Sequence, residues 1–299
     1  MGNVHSTYID LQQEPPVTKF DLVVFADLDM TVDYATKIKA PKVGVSWAWD
    51  LQRTLRNTPT TEEKLKKALS SLDLLIVDSV TVQNIANGFG LRTEQIFRAP
   101  YGIDIERYPL RNFRKSNSRK LRLYTNRRWE GLYRPQLLLE MASELSKTGE
   151  AFELVMANDG SLREILLKKY SDLFENGTCK WLGRISENQN VKELEIADLY
   201  VSASKSDGSS LSLLEAMAIG VPPLVTDNAS NREWVEDNLT GYLFSCETGL
   251  ELANKIRNLN LSTVLKPESL KLSHDRILLG ANWRLTGGNI LVKVQEILR

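Results

Sequence analysis

The stretch Ser204-Lys-Ser-Asp-Gly-Ser-Ser-Leu-Ser-Leu-Leu-Glu-Ala-Met-Ala-Ile-Gly-Val-Pro-Pro-Leu-Val-Thr226 decides how this chain is read. Small polar residues fill Ser204 to Ser210, an apolar helical segment follows to Ile219, and Pro223–Thr226 is an apolar run of strand length. A strand ending near Ser204 therefore gives way to a loop and then to a helix beginning near Ser210. The loop residues Gly208, Ser209 and Ser210 bring backbone N–H groups to a helix N-terminus, where first-turn amides lack intrahelical acceptors and the macrodipole is positive. Such a turn suits a diphosphate. Asp207 and Glu215 lie eight positions apart. Two carboxylates beside an anion site do not both serve to neutralise phosphate. They are better used to accept hydrogen bonds from sugar hydroxyls, one on a ribose and one on a donor sugar.

Outward from this stretch, apolar runs of strand length alternate with helical-period segments. Strands are expected at Phe20–Phe25, Lys42–Ser46, Leu72–Val77, Gln95–Ala99, Leu121–Thr125, Phe152–Ala157, Cys179–Leu182, Leu199–Ser202 and Pro223–Thr226. Helices are expected at Thr61–Ser70, Pro135–Lys147, Leu162–Tyr170 and Ser210–Ile219, and two more from about Pro267. Continuous rather than alternating apolar strands, each followed by a helix, indicate parallel sheets covered on both faces. The fold class is α/β, with two doubly wound Rossmann-type domains. Pro100 to Ser118 has a Pro-Tyr-Gly-Ile-Asp turn and then a polar, basic stretch without a strand pattern, and reads as a linker. The expected division is residues 1–112, 113–266 and 267–299, the last packing back toward the first. The Lys- and Arg-rich stretch Arg107 to Arg134 is either a solvated linker with a helix edge or a cation cluster facing phosphates. Arg127 and Arg128 follow directly on a buried-looking strand, which favours the second reading.

Composition narrows the chemistry. Lys plus Arg and Asp plus Glu both number 38, so no global field points to nucleic acid. Cys179 and Cys246 are isolated, and His5 and His274 have no partner at ligand spacing. A disulfide framework, a zinc site and a Ser-His-Asp hydrolase are therefore not expected, and the cysteines fit a reducing compartment such as the cytoplasm. No apolar run approaches the roughly 20 residues of a membrane-spanning helix, so any membrane contact is expected to be peripheral. The opening Met-Gly-Asn-Val-His-Ser fits the short myristoylation pattern, which arises often by chance.

The segment SKSDGSSLSLLEAMAIGVPPLVTDNASNREWVEDNLTGYLF, Ser204 to Phe244, resembles the donor-site signature of retaining glycosyltransferases of family 4. That family carries an acidic residue, seven others, then Glu before Ala-Met-Ala, and here Asp207 stands at the first position. The resemblance implies a GT-B fold in which Glu215 holds the ribose hydroxyls, while Asp207 and the amides of Gly208 to Leu211 meet the sugar and the diphosphate. Leu121–Thr125 followed by Asn-Arg-Arg resembles the family's first donor-domain strand, whose Arg pairs with the diphosphate. That role falls to Arg127, with Arg128 second. The family's usual Lys-Gly is replaced by Gly131-Leu-Tyr-Arg-Pro, where Arg134 is the substitute cation. Asn158-Asp-Gly160 resembles the Gly-x-Gly loop before a helix, Trp181-Leu182-Gly183-Arg184 the segment lining the base, and Tyr101-Gly102-Ile-Asp104 the interdomain junction.

The N-terminal half begins near what resembles the family's fourth strand, so the first domain is expected to be truncated. Pro41-Lys-Val-Gly-Val-Ser-Trp-Ala-Trp-Asp50 resembles a strand that in one branch ends Trp-Gly-Ser-Asp, with Ala48 and Trp49 here in place of the Gly-Ser pair. A short natural enzyme, a missing N-terminal segment and completion by a partner subunit remain open. The implied reaction moves a sugar from a nucleoside-diphosphate sugar, UDP- or GDP-linked, to a hydroxyl of a glycan, glycolipid or other acceptor with retention. Polysaccharide, glycan or glycolipid assembly is the family-level expectation, with no metal and no cofactor required. The rivals are a non-catalytic or partner-dependent nucleotide-sugar-binding subunit and a GT-B-shaped epimerase or phosphorylase.

Overall fold

The computed structural model describes residues 20–26, 28, 37–48, 50–51, 59–111 and 120–299. The expectations resting on His5, the N-terminal Met-Gly pattern, Trp49 and the 112/113 boundary lie outside these residues. The chain divides into two compact units, one of Met1–Ala99 with Gly287–Arg299 and one of Pro100–Thr286.

In the first unit, β1 (Val23–Ala26), β2 (Lys42–Val45), β3 (Leu74–Val77) and β4 (Ile96–Arg98) form a parallel sheet in chain order. All four residues of β3 are buried because each face of the strand meets its own apolar layer. Leu75 and Val77 pack with Leu65, Leu69, Val82 and Phe89. Leu74 and Ile76 pack with Val43 and with Ile290, Val294 and Ile297, which belong to the helix Trp283–Ile297. Period-two alternation between two covered faces explains a continuous apolar run in a central strand.

The second unit holds β5 (Leu121–Thr125), β6 (Phe152–Ala157), β7 (Cys179–Gly183), β8 (Leu199–Ser202), β9 (Pro223–Thr226) and β10 (Tyr242–Phe244). Their order is β10-β9-β8-β5-β6-β7, and every pairing is parallel. Leu123, Leu154 and Val201 face one apolar layer, while Tyr124, Val155 and Tyr200 face the other. The chain runs outward from β5 through β6 to β7, then returns across β5 to build β8, β9 and β10. The strand order thus reverses between β5 and β8, and doubly wound sheets form their crevice at the carboxyl ends of the strands at such a reversal. Open α/β sheets bind their ligands at such a reversal.

Four of the nine expected strands, β5, β6, β8 and β9, have the bounds read from the sequence, and the other five differ at one end or both. Among the described residues, β10 is the one missed. It has three residues, too few for a periodic signal, and owes its place to pairing with β9. The Pro100–Ser118 stretch is not a loose connection over its described part. Ile103 exchanges backbone hydrogen bonds with Ala281 and Trp283, Ile105–Arg107 forms a 3₁₀ turn, and Tyr108 is buried at 3% exposure.

Candidate functional site

Chain direction alone brings two loops together at the reversal. β5 ends at Thr125 and Asn126-Arg127 follow, while β8 ends at Ser202 and Ser204–Ser210 follow. Arg127 donates from Nη2 to Asp207 Oδ1 at 2.5 Å and from Nη1 to Ser210 Oγ at 2.6 Å. Its guanidinium lies 4.2 Å from the centre of the Tyr133 ring. The pair is largely buried, with side-chain exposures of 11% for Arg127 and 13% for Asp207. Burial works against the Arg127 cation, but the Asp207 carboxylate, through its charge and its hydrogen bond, outweighs it, so the guanidinium is held above its ordinary value. Its Nε is buried without a hydrogen-bond partner.

The loop carrying Asp207 is pinned from outside. Ser230 donates its hydroxyl to the Asp207 carbonyl at 2.7 Å, and Lys205 N donates to Leu132 O at 2.9 Å. Ser210 then opens the helix Leu211–Ile219, and its hydroxyl makes no capping bond to that helix. Helix-starting serines usually accept from an amide of the first turn. Here the hydroxyl faces Arg127 instead. A helix N-terminus and a guanidinium therefore point at one place. Both favour an anion there.

One and a half turns into the same helix, Glu215 sits inside a polar cluster. Its Oε2 accepts from Asn190 Nδ2 at 3.0 Å and from Asn126 Nδ2 at 3.3 Å, and its Oε1 accepts from the Tyr108 hydroxyl at 3.1 Å. Asn190 Oδ1 in turn accepts from the Tyr124 hydroxyl at 2.7 Å and from Asn126 Nδ2 at 3.0 Å. Burial pushes the Glu215 carboxyl above the usual range, and these three donors pull it back only in part. Asn126 Oδ1 is buried with no partner. An unpaired buried acceptor costs on the order of 1–3 kcal/mol. This cluster holds an uncompensated acceptor beside a carboxylate of raised affinity for protons. Chemically, such a group of acceptors can take hydrogen bonds from hydroxyl donors.

The remaining expected residues divide into those at the crevice and those that shape it. Gly208, Ser209 and Leu211 belong to the pinned loop and the helix start, with Ser209 and Ser210 buried and Leu211 exposed. Arg134 has a left-handed backbone, φ 47°, immediately before Pro135. A following proline disfavours the right-handed helical region. Its guanidinium donates to Ala203 O at 2.7 Å, to Glu247 at 2.9 Å and to Thr226 Oγ1 at 3.4 Å, so it ties the ends of β8 and β9 together. Arg128 is 63% exposed and lies 3.7 Å from Glu130. Gly160 is a matter of space, since a Cβ there would stand 2.5 Å from Trp129 O and 2.6 Å from Trp129 C. Gly183 has φ +67°, and its carbonyl accepts from Asn158 N at 2.6 Å. Leu182 packs against the Tyr124 and Val155 layer, and Arg184 is 82% exposed, 4.0 Å from Asp159.

Sequence reasoning missed Asn126, Asn190, Tyr108, Tyr133 and Ser230. Asn126 stood inside the quoted Asn-Arg-Arg run. Asn190 carried one signal, a polar residue in the buried row of the helix Glu187–Ile196 beside Leu194. Nothing local marks Tyr108 or Ser230. His274 is a packing residue, its Nδ1 2.5 Å from Ala218 O. Among the described residues, no group of three His, Cys, Asp or Glu is placed to hold a metal, and no helix is long and apolar enough to cross a membrane.

Comparison with known proteins matches this geometry to one family. The model of the family described as Glycosyl transferases group 1 matches residues 110–271, more than half of the chain. The alpha-monoglucosyldiacylglycerol synthase of Streptococcus pneumoniae is 23% identical over 193 residues, covering 61% of this chain and 44% of the relative. The poly(ribitol-phosphate) alpha-N-acetylglucosaminyltransferase of Staphylococcus aureus is 30% identical over 136 residues, covering 45% of this chain and 27% of that protein. The chain thus spans less than half the length of these relatives. Among solved structures, Anabaena HepE in complex with UDP superposes with a TM-score of 0.77 at 16% identity, over 93% of this chain and 79% of HepE. TarM superposes with a TM-score of 0.66 at 21% identity, over 91% of this chain and 58% of TarM. Both likenesses are to GT-B folds.

Proposed function

The chain belongs to the glycosyl transferases group 1 family, and on that premise we propose that it transfers a glycosyl group from a nucleoside-diphosphate sugar to an acceptor hydroxyl with retention of configuration. The observation that carries this reading is the convergence of Arg127, Asp207 and the Ser210 helix start at the β5/β8 reversal, with Glu215 behind them. The diphosphate lies against Arg127 and the first-turn amides. Glu215 accepts from the ribose hydroxyls, and Asp207 meets the sugar. UDP is the favoured nucleotide, because HepE, the closely superposing structure described above, carries it. The acceptor belongs to polysaccharide, glycan or glycolipid assembly, in keeping with the two enzymes of similar sequence.

In the reaction the bond from the sugar's anomeric carbon to the diphosphate oxygen breaks. A bond from the acceptor oxygen to that carbon forms on the same face, and the acceptor's proton passes to the departing phosphate. Charge grows on the diphosphate as the bond breaks. Arg127 and the helix amides are fixed before the reaction starts, so they stabilise that charge without reorganising. The ion pair with Asp207 orients the Arg127 guanidinium. Arg128 and Arg184 are exposed and reach outward, and Arg134 supports the crevice by fixing β8 and β9.

Titration calorimetry with UDP, UDP-glucose, GDP and GDP-mannose tests the reading, together with release of labelled sugar from the bound donor. Binding of one nucleotide pair and its loss in Arg127→Ala and Glu215→Ala are expected. No binding of any nucleotide by the folded wild-type chain would refute it. Tight binding with no transfer or hydrolysis would favour the non-catalytic, partner-dependent subunit.

A further inference from the structure

Tyr108 lies 3% exposed between two carboxylates, and its hydroxyl has one proton to donate. It stands 3.1 Å from Glu215 Oε1 and 3.2 Å from Glu187 Oε1. Only one of these contacts is a hydrogen bond at a given moment; the other sets a hydroxyl lone pair against a carboxylate oxygen. Burial and both carboxylates push the Tyr108 phenol up, so it stays protonated. The surroundings break the tie. Glu187 is also paired with Arg107, whose Nε lies 3.4 Å from Asp104, whereas Glu215 Oε1 has no other side-chain donor among the described hydrogen bonds. A carboxylate already neutralised by a guanidinium draws a neighbouring proton less strongly.

Resting on the reading that Glu215 holds the ribose, we propose that Tyr108 is a positioning residue for that contact, and that Arg107, through Glu187, directs its proton to Glu215. The geometry of the carboxylate carries the argument. Oε2 is filled by the two asparagine amides, and Oε1 takes the Tyr108 proton on one lone pair. Its remaining lone pair is the place left for a ribose hydroxyl. Three donors from three separate segments hold the carboxylate in one rotation: Asn126 after β5, Asn190 on the Glu187–Ile196 helix, and Tyr108 before β5. Without Tyr108's hydroxyl, Oε1 is free to turn and the carboxyl protonates more readily.

The test compares UDP with 2′,3′-dideoxy-UDP, whose affinity ratio reports the ribose contact alone. Tyr108→Phe keeps the ring and its packing. It is expected to weaken UDP binding about fivefold to tenfold, the size of one ordinary hydrogen bond, because Tyr108 acts on the ribose only through Glu215. Binding of the dideoxy compound should be unchanged. Glu187→Gln removes the competing charge and should keep or raise the ratio, and Arg107→Ala should lower it about twofold. An unchanged ratio in Tyr108→Phe, or a loss in Glu187→Gln as large as in Tyr108→Phe, would overturn the proposal. Glu215→Ala separates this failure from a wrong ribose assignment. If Glu215→Ala also leaves the ratio unchanged, the ribose reading itself is at fault.

Discussion

Replacing Arg127 by Met keeps most of the side chain's apolar volume and removes its charge, which breaks the ion pair with the Asp207 carboxylate at 13% exposure. Breaking a buried ion pair from one side typically costs about 3–5 kcal/mol, because the remaining charge is uncompensated. Exposures above a tenth on each partner place this pair at the lower end, about 3 kcal/mol. For a unit the size of Pro100–Thr286 that is a fall of roughly 6–12 °C in melting temperature by calorimetry. The double variant Arg127→Met with Asp207→Asn removes the stranded charge and is expected to recover most of this loss. UDP affinity should behave otherwise. A lost charge-assisted contact to phosphate amounts to about 1.5–3 kcal/mol, or roughly 10–150-fold in Kd, in the single variant and in the double alike. Stability and binding thus come apart in the double variant. A single variant that melts within 2 °C of wild type would show that the pair is not buried as described. A double variant with wild-type UDP affinity would show that Arg127 serves only to neutralise Asp207.

Two further outcomes follow from the same geometry. Burial holds the Glu215 carboxyl above its ordinary value, so its stabilising contribution is present below the ordinary carboxylate range and is lost as pH rises through the raised value. Glu215→Gln cannot ionise, so its melting temperature relative to wild type should climb as pH rises above the ordinary carboxylate value, about 4.3, and then level off; a constant difference from pH 4 to pH 8 would contradict this. Gly160→Ala should lower the urea midpoint by about 1–3 kcal/mol in stability with no change of slope. The atoms it meets are Trp129 backbone, which cannot swing aside, and an unaltered midpoint would disprove the close approach.

The local order of elements was legible in the chain itself. Leu121–Thr125, Phe152–Ala157, Leu199–Ser202 and Pro223–Thr226 are mostly apolar on both alternations, with Arg122 and Glu153 the charged exceptions, because both faces of the sheet are covered, and that pattern is written residue by residue. The Ser204–Ser210 loop and the helix after it were legible for the same reason, since a loop-to-helix change is a local event. Arg127 and Asp207 could be named as candidates, each from its own neighbours. Their 2.5 Å contact could not, because it joins positions 80 residues apart.

Only the tertiary structure decided what surrounds Glu215. Tyr108, Asn126 and Asn190 come from three separate segments, and no periodicity links them. Arg134 shows the same limit from the other side. Its sequence position suits a phosphate cation, yet the β8 and β9 carboxyl ends give its guanidinium three acceptors within the protein. A buried polar side chain takes whichever partners the packed strands bring within hydrogen-bond reach. Sequence spells out which segments bury their faces; the reversal of strand order between β5 and β8 determines which of their ends meet.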